Sequence, residues 1–412
     1  MNNIIKISFR NLLRNRRRTL LTASLITIGV MFVLIYSALA GSFKAYMIGQ
    51  VTDSMLGHIQ IHKKGYIASV DNLPLDKNLN KSQIELIAKT LDKNPFVQSY
   101  TYRLKLGAMF SNYVASTSVR LNGIDPEKEA ITLPLFATRI EGSDVSTLAK
   151  GSIIVPQLVA KGMNVNKGDT IVLVATNQKG SVNGLNFKVT GMIEPISGPG
   201  GRDGYIHIND VKRLLRLGEA EVSEVVIRLK DVEQLEKAMK SLKPLSEIKN
   251  KKDKALFELH TWKKLSPFYN IVKMLDLMDI FIKIILISIV LISVLNVMVM
   301  SVYERIKEIG TIAAMGTSPL TITKLFLSEG LMLGILGTVL GSILSYSVVL
   351  IINAVGISFS FGRQDNLVLS PVLHLNEILF IGIIVIIISL IASISPAIKA
   401  ANLNPVDALR QN

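Results

Sequence analysis

The chain has 412 residues, a formal net charge of +15 and no cysteine. Hydrophobic residues make up 49% of it and aromatic residues only 6%, and the mean hydropathy is +0.41. This composition excludes an ordinary soluble enzyme and indicates a membrane protein, while the lack of cysteine excludes disulfides, thiolate metal ligands and a lipid-attachment cysteine within this chain.

Basic residues cluster at the start of the chain. Residues 1–18 contain no acid and hold Lys6, Arg10, Arg14, Arg16, Arg17 and Arg18. The apolar residues between them share one helical face, which predicts a cytoplasmic amphipathic helix in the lipid interface; a pure topology signal is the alternative. Basic residues beside a span resist translocation, so we expect a cytoplasmic N-terminus. These anchors explain part of the positive charge, so a nucleic-acid partner is not needed to account for it.

Four uncharged apolar runs are long enough to cross a bilayer, which takes about 20 residues. They cover 19–42, 284–303, 330–362 and 378–398. Four crossings return the C-terminus to the cytoplasm and place the long polar segment after the first run outside. The predicted fold class is an α-helical membrane protein with four transmembrane helices (one plus three) and a large extracytoplasmic α+β domain. A signal peptide cleaved at Ala38-x-Ala40 is the alternative for the first run, which is longer than such peptides use.

Helical periodicity continues beyond the first span and precedes the second. After Phe43, the apolar residues Ile48, Val51 and Met55 keep a spacing of three to four residues, and so do Leu275, Met278 and Ile282. We therefore predict that both spans extend outward as helical stalks able to transmit movement. Short solvated linkers are the alternative.

The polar segment mixes strand and helix patterns. Residues 84–91 and 234–242 have helical periodicity, whereas four short β-branched runs, 170–176, 186–193, 204–208 and 224–229, indicate strands. Residues 176–186 are polar and glycine-rich between two of those strands, so they are predicted to form a projecting hairpin connection.

Catalytic and metal-binding patterns are absent from the sequence. No stretch has the spacing of a phosphate-binding loop, a nucleophile elbow or a zinc-protease helix, and the glycine-rich residues 198–204 indicate a tight turn. His58 and His62 alternate with apolar residues in a strand pattern, which places them on a polar sheet edge with Gln60 rather than around a metal. We expect no enzyme activity, no bound cofactor and no metal site on this chain.

A short charged segment, "YERIKEIGTIAAMGTSP", interrupts the apolar C-terminal half. Gly316 suits the left-handed end of a helix, and Ser318 with Pro319 suits the start of the next. We expect the apolar residues to lie on the bilayer or a partner and the charged ones to face the cytoplasm, as a docking helix for another protein. The apolar set is Ile306, Ile309 and Ala313, and the charged set is Glu304, Arg305, Lys307 and Glu308. An ordinary solvated loop is the alternative.

Glycines recur along one face of the third span. Gly330, Gly334, Gly337 and Gly341 predict a ridge where helix backbones approach closely. The neighbour is either another subunit's helix or a helix of the same chain.

The predicted boundaries follow from these signals. They are 1–18 for the amphipathic helix, 19–57 for the first span with its stalk, 58–265 for the outer domain, 266–303 for the second stalk and span, 304–318 for the docking helix, 319–355 for the third span, 356–376 for an outer loop, 377–398 for the fourth span and 399–412 for a cytoplasmic tail.

Three stretches resemble the FtsX-like, MacB-type ABC transporter permeases. "ERIKEIGTIAAMGTSPLTI" is similar to their coupling-helix signature, "RNLLRNRRRTLLT" to their N-terminal motif, and "PAIKAANLNPVDALR" to their closing motif. The resemblance implies that the docking helix is the coupling helix. The residues that it assigns to ATPase coupling are Glu304, Arg305, Lys307, Glu308, Ile309, Gly310 and Gly316.

The resemblance also implies the partners. Such a permease works as a dimer with an identical or homologous second permease and two copies of a cytoplasmic ABC ATPase, which binds ATP and Mg. ATP-driven closure is thought to move stalks and outer domains rather than open a central pore. The implied location is the bacterial inner membrane, with both termini cytoplasmic.

Within the family, the length and "GHIQIHKKGY" are most similar to the lipoprotein-releasing LolC/LolE permeases. These hand lipoproteins to a periplasmic carrier, and the hairpin would be the carrier-binding element. Its residues are Lys179, Gly180, Ser181, Val182 and Asn183. The alternatives are a MacB-like exporter of peptides or drugs, and a non-transporting signal relay that controls an outer enzyme.

Overall fold

The computed structural model describes residues 7–8, 10–11, 14, 16–141, 148–194, 202–218, 220–249, 253–361 and 364–404. Most of the predicted N-terminal amphipathic helix, most of the predicted turn at 198–204 and the end of the closing motif from Pro405 lie outside these residues. The chain divides into two compact units. We call Met1–Ala45 with Ile271–Asn412 the helical unit, and Tyr46–Asn270 the inserted domain.

The first half of the chain begins with a long helix and continues with short strands and helices. In chain order they are α1 Arg16–Val51, a π-helical turn Thr52–Leu56, β1 Ile59–Lys63, α2 Lys81–Asp92, β2 Val97–Ser111, β3 Ser116–Ile124, α3 Pro126–Thr132, β4 Ile140–Glu141, β5 Ser152–Pro156, α4 Gln157–Met163, β6 Thr170–Thr176 and β7 Val182–Ile193. Single 3₁₀ turns occur at Ile67–Asn72, Leu75–Lys77 and Ala137–Arg139.

The second half continues the same numbering. It contains β8 Asp203–His207, α5 Ile208–Leu215, β9 Glu224–Leu229, a 3₁₀ turn Val232–Gln234, α6 Leu235–Glu247, β10 Phe257–Thr261, α7 Trp262–Leu265, α8 Tyr269–Glu304, α9 Ile306–Ala314, α10 Pro319–Val355, β11 Ser358–Phe361, β12 Gln364–Val368 and α11 Leu375–Ala401. The β11–β12 hairpin lies where the sequence indicated only a loop.

Four of the described helices are long and apolar enough to cross a membrane. They are Thr19–Leu56, Tyr269–Glu304, Pro319–Val355 and Leu375–Ala401. One precedes the inserted domain and three follow it, which confirms the predicted one-plus-three arrangement. Large apolar side chains such as Phe32, Phe281 and Phe380 are exposed on these helices, as expected of surfaces that lipid would cover.

The glycine ridge on α10 packs against two helices of the same chain. A Cβ added to Gly334 would lie 2.9 Å from Ser389 Cβ of α11, and one added to Gly341 would lie 2.7 Å from Val30 Cβ of α1. Gly330 faces α11 and Gly337 faces α1 in the same way. The ridge therefore lets three helices meet at backbone distance, which larger residues would prevent.

Among its described residues, the inserted domain is built on one ten-stranded sheet with the order β10-β1-β9-β2-β3-β8-β5-β7-β4, and β6 bridges β2 and β7. β2 is shared between two parts of this sheet. Val97–Arg103 pairs with β9, and Leu104–Ser111 pairs with β3. We call β10, β1, β9 and Val97–Arg103 the first half-sheet and the remaining strands the second half-sheet. The α+β class predicted for this domain is confirmed.

β1 lies inside the sheet, so the prediction of a polar edge at His58 and His62 is wrong. β1 pairs with β10 on one side and β9 on the other, and both histidines and Gln60 are buried. His62 Nε2 lies 3.4 Å from a carboxylate oxygen of Glu224, while His58 accepts a hydrogen bond from the Leu229 amide. Among the described residues no group of three or more His, Cys, Asp or Glu is placed to hold a metal.

The predicted hairpin connection is shorter than the sequence suggested. β6 and β7 pair from Thr170↔Lys188 to Thr176↔Val182, so only residues 177–181 form the turn and Val182–Asn186 belong to β7. Gly180 has φ +80°, a conformation that glycine adopts without strain.

Candidate coupling site

The short helix α9 is bounded by two interruptions of helical geometry, at Arg305 and at Gly316. Arg305 leaves helical geometry, with φ −113° and ψ 15°, and separates α8 from α9. Gly316 has φ +89°, and its amide donates to the Ala313 carbonyl at 3.0 Å. Ser318 and Pro319 then occupy the N-cap and first-turn positions of α10, as the sequence predicted.

The inward face of α9 is held by a buried ion pair. Arg305 is only 8% exposed, and its Nη1 lies 2.8 Å from Oε1 of Glu329 on α10, which is 1% exposed. The Arg305 guanidinium also lies 5.6 Å from the centroid of the Phe326 ring. Beside the pair, Ile309 and Gly310 are buried too. A carboxylate buried in an apolar helix needs a compensating charge, and Arg305 supplies it.

The prediction that Arg305 faces the cytoplasm with the other charged residues is therefore wrong. Glu329 was not among the residues predicted for this site. A lone acid within the otherwise uncharged stretch from Leu325 to Val355 was the signal that could have found it, because such groups are rare in spans and are usually paired.

A second link ties α9 to the N-terminal segment. Glu308 accepts a hydrogen bond from Arg305 Nε at 3.1 Å and pairs with Arg14. Asn11 Nδ2 donates to Glu329 Oε1 at 3.0 Å. Glu329 and Glu308 therefore join three segments of the helical unit: the N-terminal stretch, α9 and α10.

The charges at this site shift each other's pKa. Burial by itself would lower the pKa of Arg305, but the carboxylates of Glu329 and Glu308 outweigh it and raise that pKa. Burial would raise the pKa of Glu308, but hydrogen bonds from Arg305 and Arg14 lower it. Both groups are therefore held in their charged forms.

The opposite face of α9 is open. Lys307, Thr311 and Met315 are exposed at a spacing of four residues, and Glu304 is exposed at the end of α8, just before the break at Arg305. Gly316 is exposed at the end of the helix, and Glu308 lies between the two faces. The site thus presents polar and apolar side chains on the exposed face of a short helix, while its buried face is held to α10 by the Arg305–Glu329 pair.

The hairpin between β6 and β7 forms a separate exposed feature in the inserted domain. Lys179, Gly180, Ser181 and Val182 are exposed, whereas Asn183 is half-buried and donates to the Leu214 carbonyl at 3.1 Å. Gln178 donates to the Leu75 carbonyl. The turn is thus attached at its base and open at its tip.

Comparison with known proteins identifies the family. The family model described as the MacB-like periplasmic core domain matches residues 19–245, and the one described as the FtsX-like permease C-terminal matches residues 280–405. The chain belongs to the MacB/FtsX-like permease family. The first match covers most of α1 and most of the inserted domain, and the second covers α9 and α10, so the family resemblance of the sequence motifs is confirmed.

Several curated permeases are similar to this chain. The macrolide export ATP-binding/permease protein MacB of Campylobacter jejuni serotype O:2 is 27% identical over 98% of this chain and 60% of its own length. The ABC transporter permease YtrF of Bacillus subtilis is 34% identical over 27% of each chain. The lipoprotein-releasing system transmembrane protein LolC of Haemophilus influenzae is 23% identical over 63% of this chain and 64% of its own. The chain thus matches less than two thirds of the length of each of these three relatives.

Proposed function

We propose that this chain is the non-catalytic permease subunit of an ATP-driven ABC transporter and that it works by mechanotransmission. The observation that carries the proposal is α9, a short helix with an exposed outer face and a back fastened by the buried Arg305–Glu329 pair. A docking helix of this kind can transmit a force from a soluble partner, because its buried face stays in contact with α10.

The fastening gives α9 a mechanical role. Removing one partner of a buried ion pair costs about 3–5 kcal/mol, so a force on α9 moves Glu329 and α10 rather than separating the pair. The hydrogen bond from Asn11 to Glu329 and the weaker, exposed Glu308–Arg14 contact also link this site to the segment that precedes α1. ATP and Mg belong to the partner ATPase in this scheme, and the permease holds neither.

The proposed assembly has two copies of a cytoplasmic ATPase and a second permease, identical or homologous, in a bacterial inner membrane. The basic residues before α1 favour a cytoplasmic N-terminus, and with four crossings α9 would then lie on the ATPase side and the inserted domain outside. Membrane lipid covers the exposed apolar faces of the long helices.

The test exchanges two exposed charges on either side of Arg305, one at the end of α8 and one on α9. Glu304→Lys with Lys307→Glu keeps the net charge and the helix propensity of the segment. We expect the amount of co-purified ATPase to fall about tenfold, because complementary charges would now repel. The measurement is the ratio of ATPase to permease after purification in mild detergent, together with ATP turnover.

The matched control exchanges Lys243 and Glu247, an exposed i,i+4 pair on α6 of the inserted domain. Lys243→Glu with Glu247→Lys should bind ATPase like the parent chain. If the α9 exchange also retains parental binding and turnover, α9 is an ordinary solvated segment and the proposal fails.

For the substrate we propose release of lipoproteins to a periplasmic carrier, with the tip of the β6–β7 hairpin as the carrier contact. The similarity to LolC over 63% of the chain supports this choice. ATP-dependent release of an acylated protein from proteoliposomes to a soluble carrier is the activity to measure.

Export of a macrolide or a similar small molecule is the second candidate. The similarity to MacB favours it, because that match covers 98% of the chain. ATP-dependent macrolide efflux without lipoprotein release would select it. Co-purification of an outer hydrolase without either activity would instead favour a signal relay.

A further inference from the structure

The end of α1 is partly buried in the inserted domain, and side chains from three strands and one 3₁₀ turn bond to its last polar groups. The last carbonyls of a helix have no partner within the helix and carry partial negative charge. Here the π-helical turn Thr52–Leu56 ends the helix. Four side chains donate to four successive residues of this turn. Arg228 Nη1 donates to the Asp53 carboxylate at 3.0 Å, and Arg139 Nη1 donates to the Ser54 carbonyl at 3.3 Å. Arg103 Nη1 donates to the Met55 carbonyl at 2.7 Å, and Gln60 Nε2 donates to the Leu56 carbonyl at 2.8 Å.

Arg103 holds a special position in the sheet. It is the last residue of β2 that pairs with β9, opposite Glu224, and the next residue, Leu104, pairs with Gly123 of β3. Arg103 therefore lies where β2 passes from the first half-sheet to the second. Its side chain meets the helix end at this point, and the residue is only 2% exposed.

One guanidinium joins three parts of the molecule. Arg103 Nε donates to Oε1 of Glu129 on α3 at 2.8 Å, and Nη1 lies 3.3 Å from Oε1 of Glu224 on β9. The same Nη1 donates to the Met55 carbonyl of the helix end. Glu224 belongs to the first half-sheet, and Met55 belongs to the end of α1. Glu129 is on α3, which directly follows β3 of the second half-sheet.

The other two arginines divide between the same parts. Arg228 is on β9 of the first half-sheet and also donates to Gln98 at 3.1 Å. Arg139 donates to the carbonyl of Glu194, directly after β7 of the second half-sheet, at 2.6 Å. The helix end is thus bonded to both half-sheets through separate side chains.

Charge compensation makes this arrangement stiff. Burial alone would lower the pKa of Arg103, but Glu129 and Glu224 raise it, and Lys105 Nζ lies 2.8 Å from the second oxygen of Glu224. Separating these groups would leave charges uncompensated in a buried site, which is strongly unfavourable. A planar guanidinium can hold three acceptors at once, which an ammonium on a flexible stem cannot do with the same geometry.

We propose that Arg103 is the positioning residue of a joint through which the end of α1 sets the relative orientation of the two half-sheets. Arg139 and Arg228 are the accessory residues of this joint. The inference rests on the proposed function in one respect: in a mechanotransmission cycle, movement of α1 would enter the inserted domain here. The joint itself is a property of the domain and can be measured without an ATPase.

The test uses the full-length chain, which lacks cysteine, so that two introduced cysteines are the sole labelling sites. A nitroxide label at Lys161→Cys on α4 reports on the second half-sheet, and one at Lys240→Cys on α6 reports on the first. Both positions are exposed. In lipid nanodiscs, Arg103→Lys should widen the distance distribution between the labels about twofold, because the donors of an ammonium radiate from one nitrogen and do not match acceptors spread around a planar guanidinium.

A matched control is Arg120→Lys, which changes a partly exposed arginine on β3 that pairs with Asp203 at 3.2 Å and does not belong to the joint. It should leave the distribution at its parental width. A parental distribution in a folded Arg103→Lys chain, judged by its thermal unfolding, would overturn the proposal. If Arg103→Lys does not fold, Arg139→Lys is the second variant, and a parental width in that variant would equally overturn it.

A second readout connects the joint to transport. With the ATPase that co-purifies with the parent chain, Arg103→Lys should retain ATP turnover while substrate released per ATP falls about tenfold. Equal loss of turnover and release would assign Arg103 a general structural role and overturn the coupling claim. Failure of the proposed function would show as the absence of any ATPase from the parent preparation, which leaves the label distances to decide the joint.

Discussion

At the scale of single residues, the buried pair of Arg305 and Glu329 explains how a charged segment can lie between apolar helices. Each group alone would be unfavourable in its surroundings, and each compensates the other at 2.8 Å. Exposed ion pairs contribute much less to the free energy of unfolding, so the contact of Glu308 with Arg14 adds little stability.

The residue-scale prediction concerns this pair. Glu329→Ala should lower the free energy of unfolding by about 3–5 kcal/mol, because it leaves the Arg305 guanidinium buried without its carboxylate. Thermal unfolding of the purified chain in detergent measures the loss as a lower midpoint.

The double variant Arg305→Leu with Glu329→Leu is the control. It removes both charges, so the chain should regain most of its stability, since apolar replacement of a buried pair is often close to neutral. Equal stability of Glu329→Ala and the parent chain would contradict the role given to the pair.

At the scale of elements, the packing of α10 depends on residues that lack a side chain. Gly330 and Gly334 admit α11, and Gly337 and Gly341 admit α1, so one helix face supports two different contacts. The sequence predicted a close approach along this face but left the partner open, because the glycine spacing is the same for a helix of the same chain and for a helix of another subunit.

The element-scale prediction compares two glycines. Gly334→Leu should destabilise the helical unit by about 1–3 kcal/mol or more, because the new side chain meets Ser389 at the contact with α11. Gly41→Leu is the matched control, since a Cβ there has no neighbour within 4 Å. Thermal unfolding and size-exclusion profiles measure the difference. Similar profiles for both variants would place the ridge away from any tight contact.

At the scale of the whole molecule, the four long helices and the inserted domain set the number of membrane crossings. If each long helix crosses the membrane once, we expect the hairpin turn and α9 to lie on opposite sides of it, because α8 is then the single crossing between them. The basic residues before α1 decide which side is which, and they favour the cytoplasm for α9.

The whole-molecule prediction uses the cysteine-free chain again. Single cysteines would replace Ser181 in the hairpin turn and Met315 beyond α9, both of which are exposed. A membrane-impermeant maleimide should label Ser181→Cys in intact spheroplasts and label Met315→Cys after the membrane is opened. Labelling of both from one side would contradict the arrangement of one plus three spans.

Much of the fold could be predicted from the sequence because its signals are local. Run length identified the spans, β-branched runs identified β6 and β9, and Gly316 with Ser318 marked the end of α9 and the start of α10. Each of these depends on residues within a few positions of one another, so the backbone preferences and the hydrophobic pattern are sufficient.

Tertiary contacts determined the remaining features. Arg305 meets a carboxylate 24 residues away, and Arg103 meets a carbonyl 48 residues away, so neither partner can be read from local spacing. The burial of His62 depends on the strands that pair with β1 on both sides, and these come from the far end of the inserted domain. A charged or polar side chain looks alike in sequence whether it faces water or a buried partner, and only the folded chain brings that partner within reach.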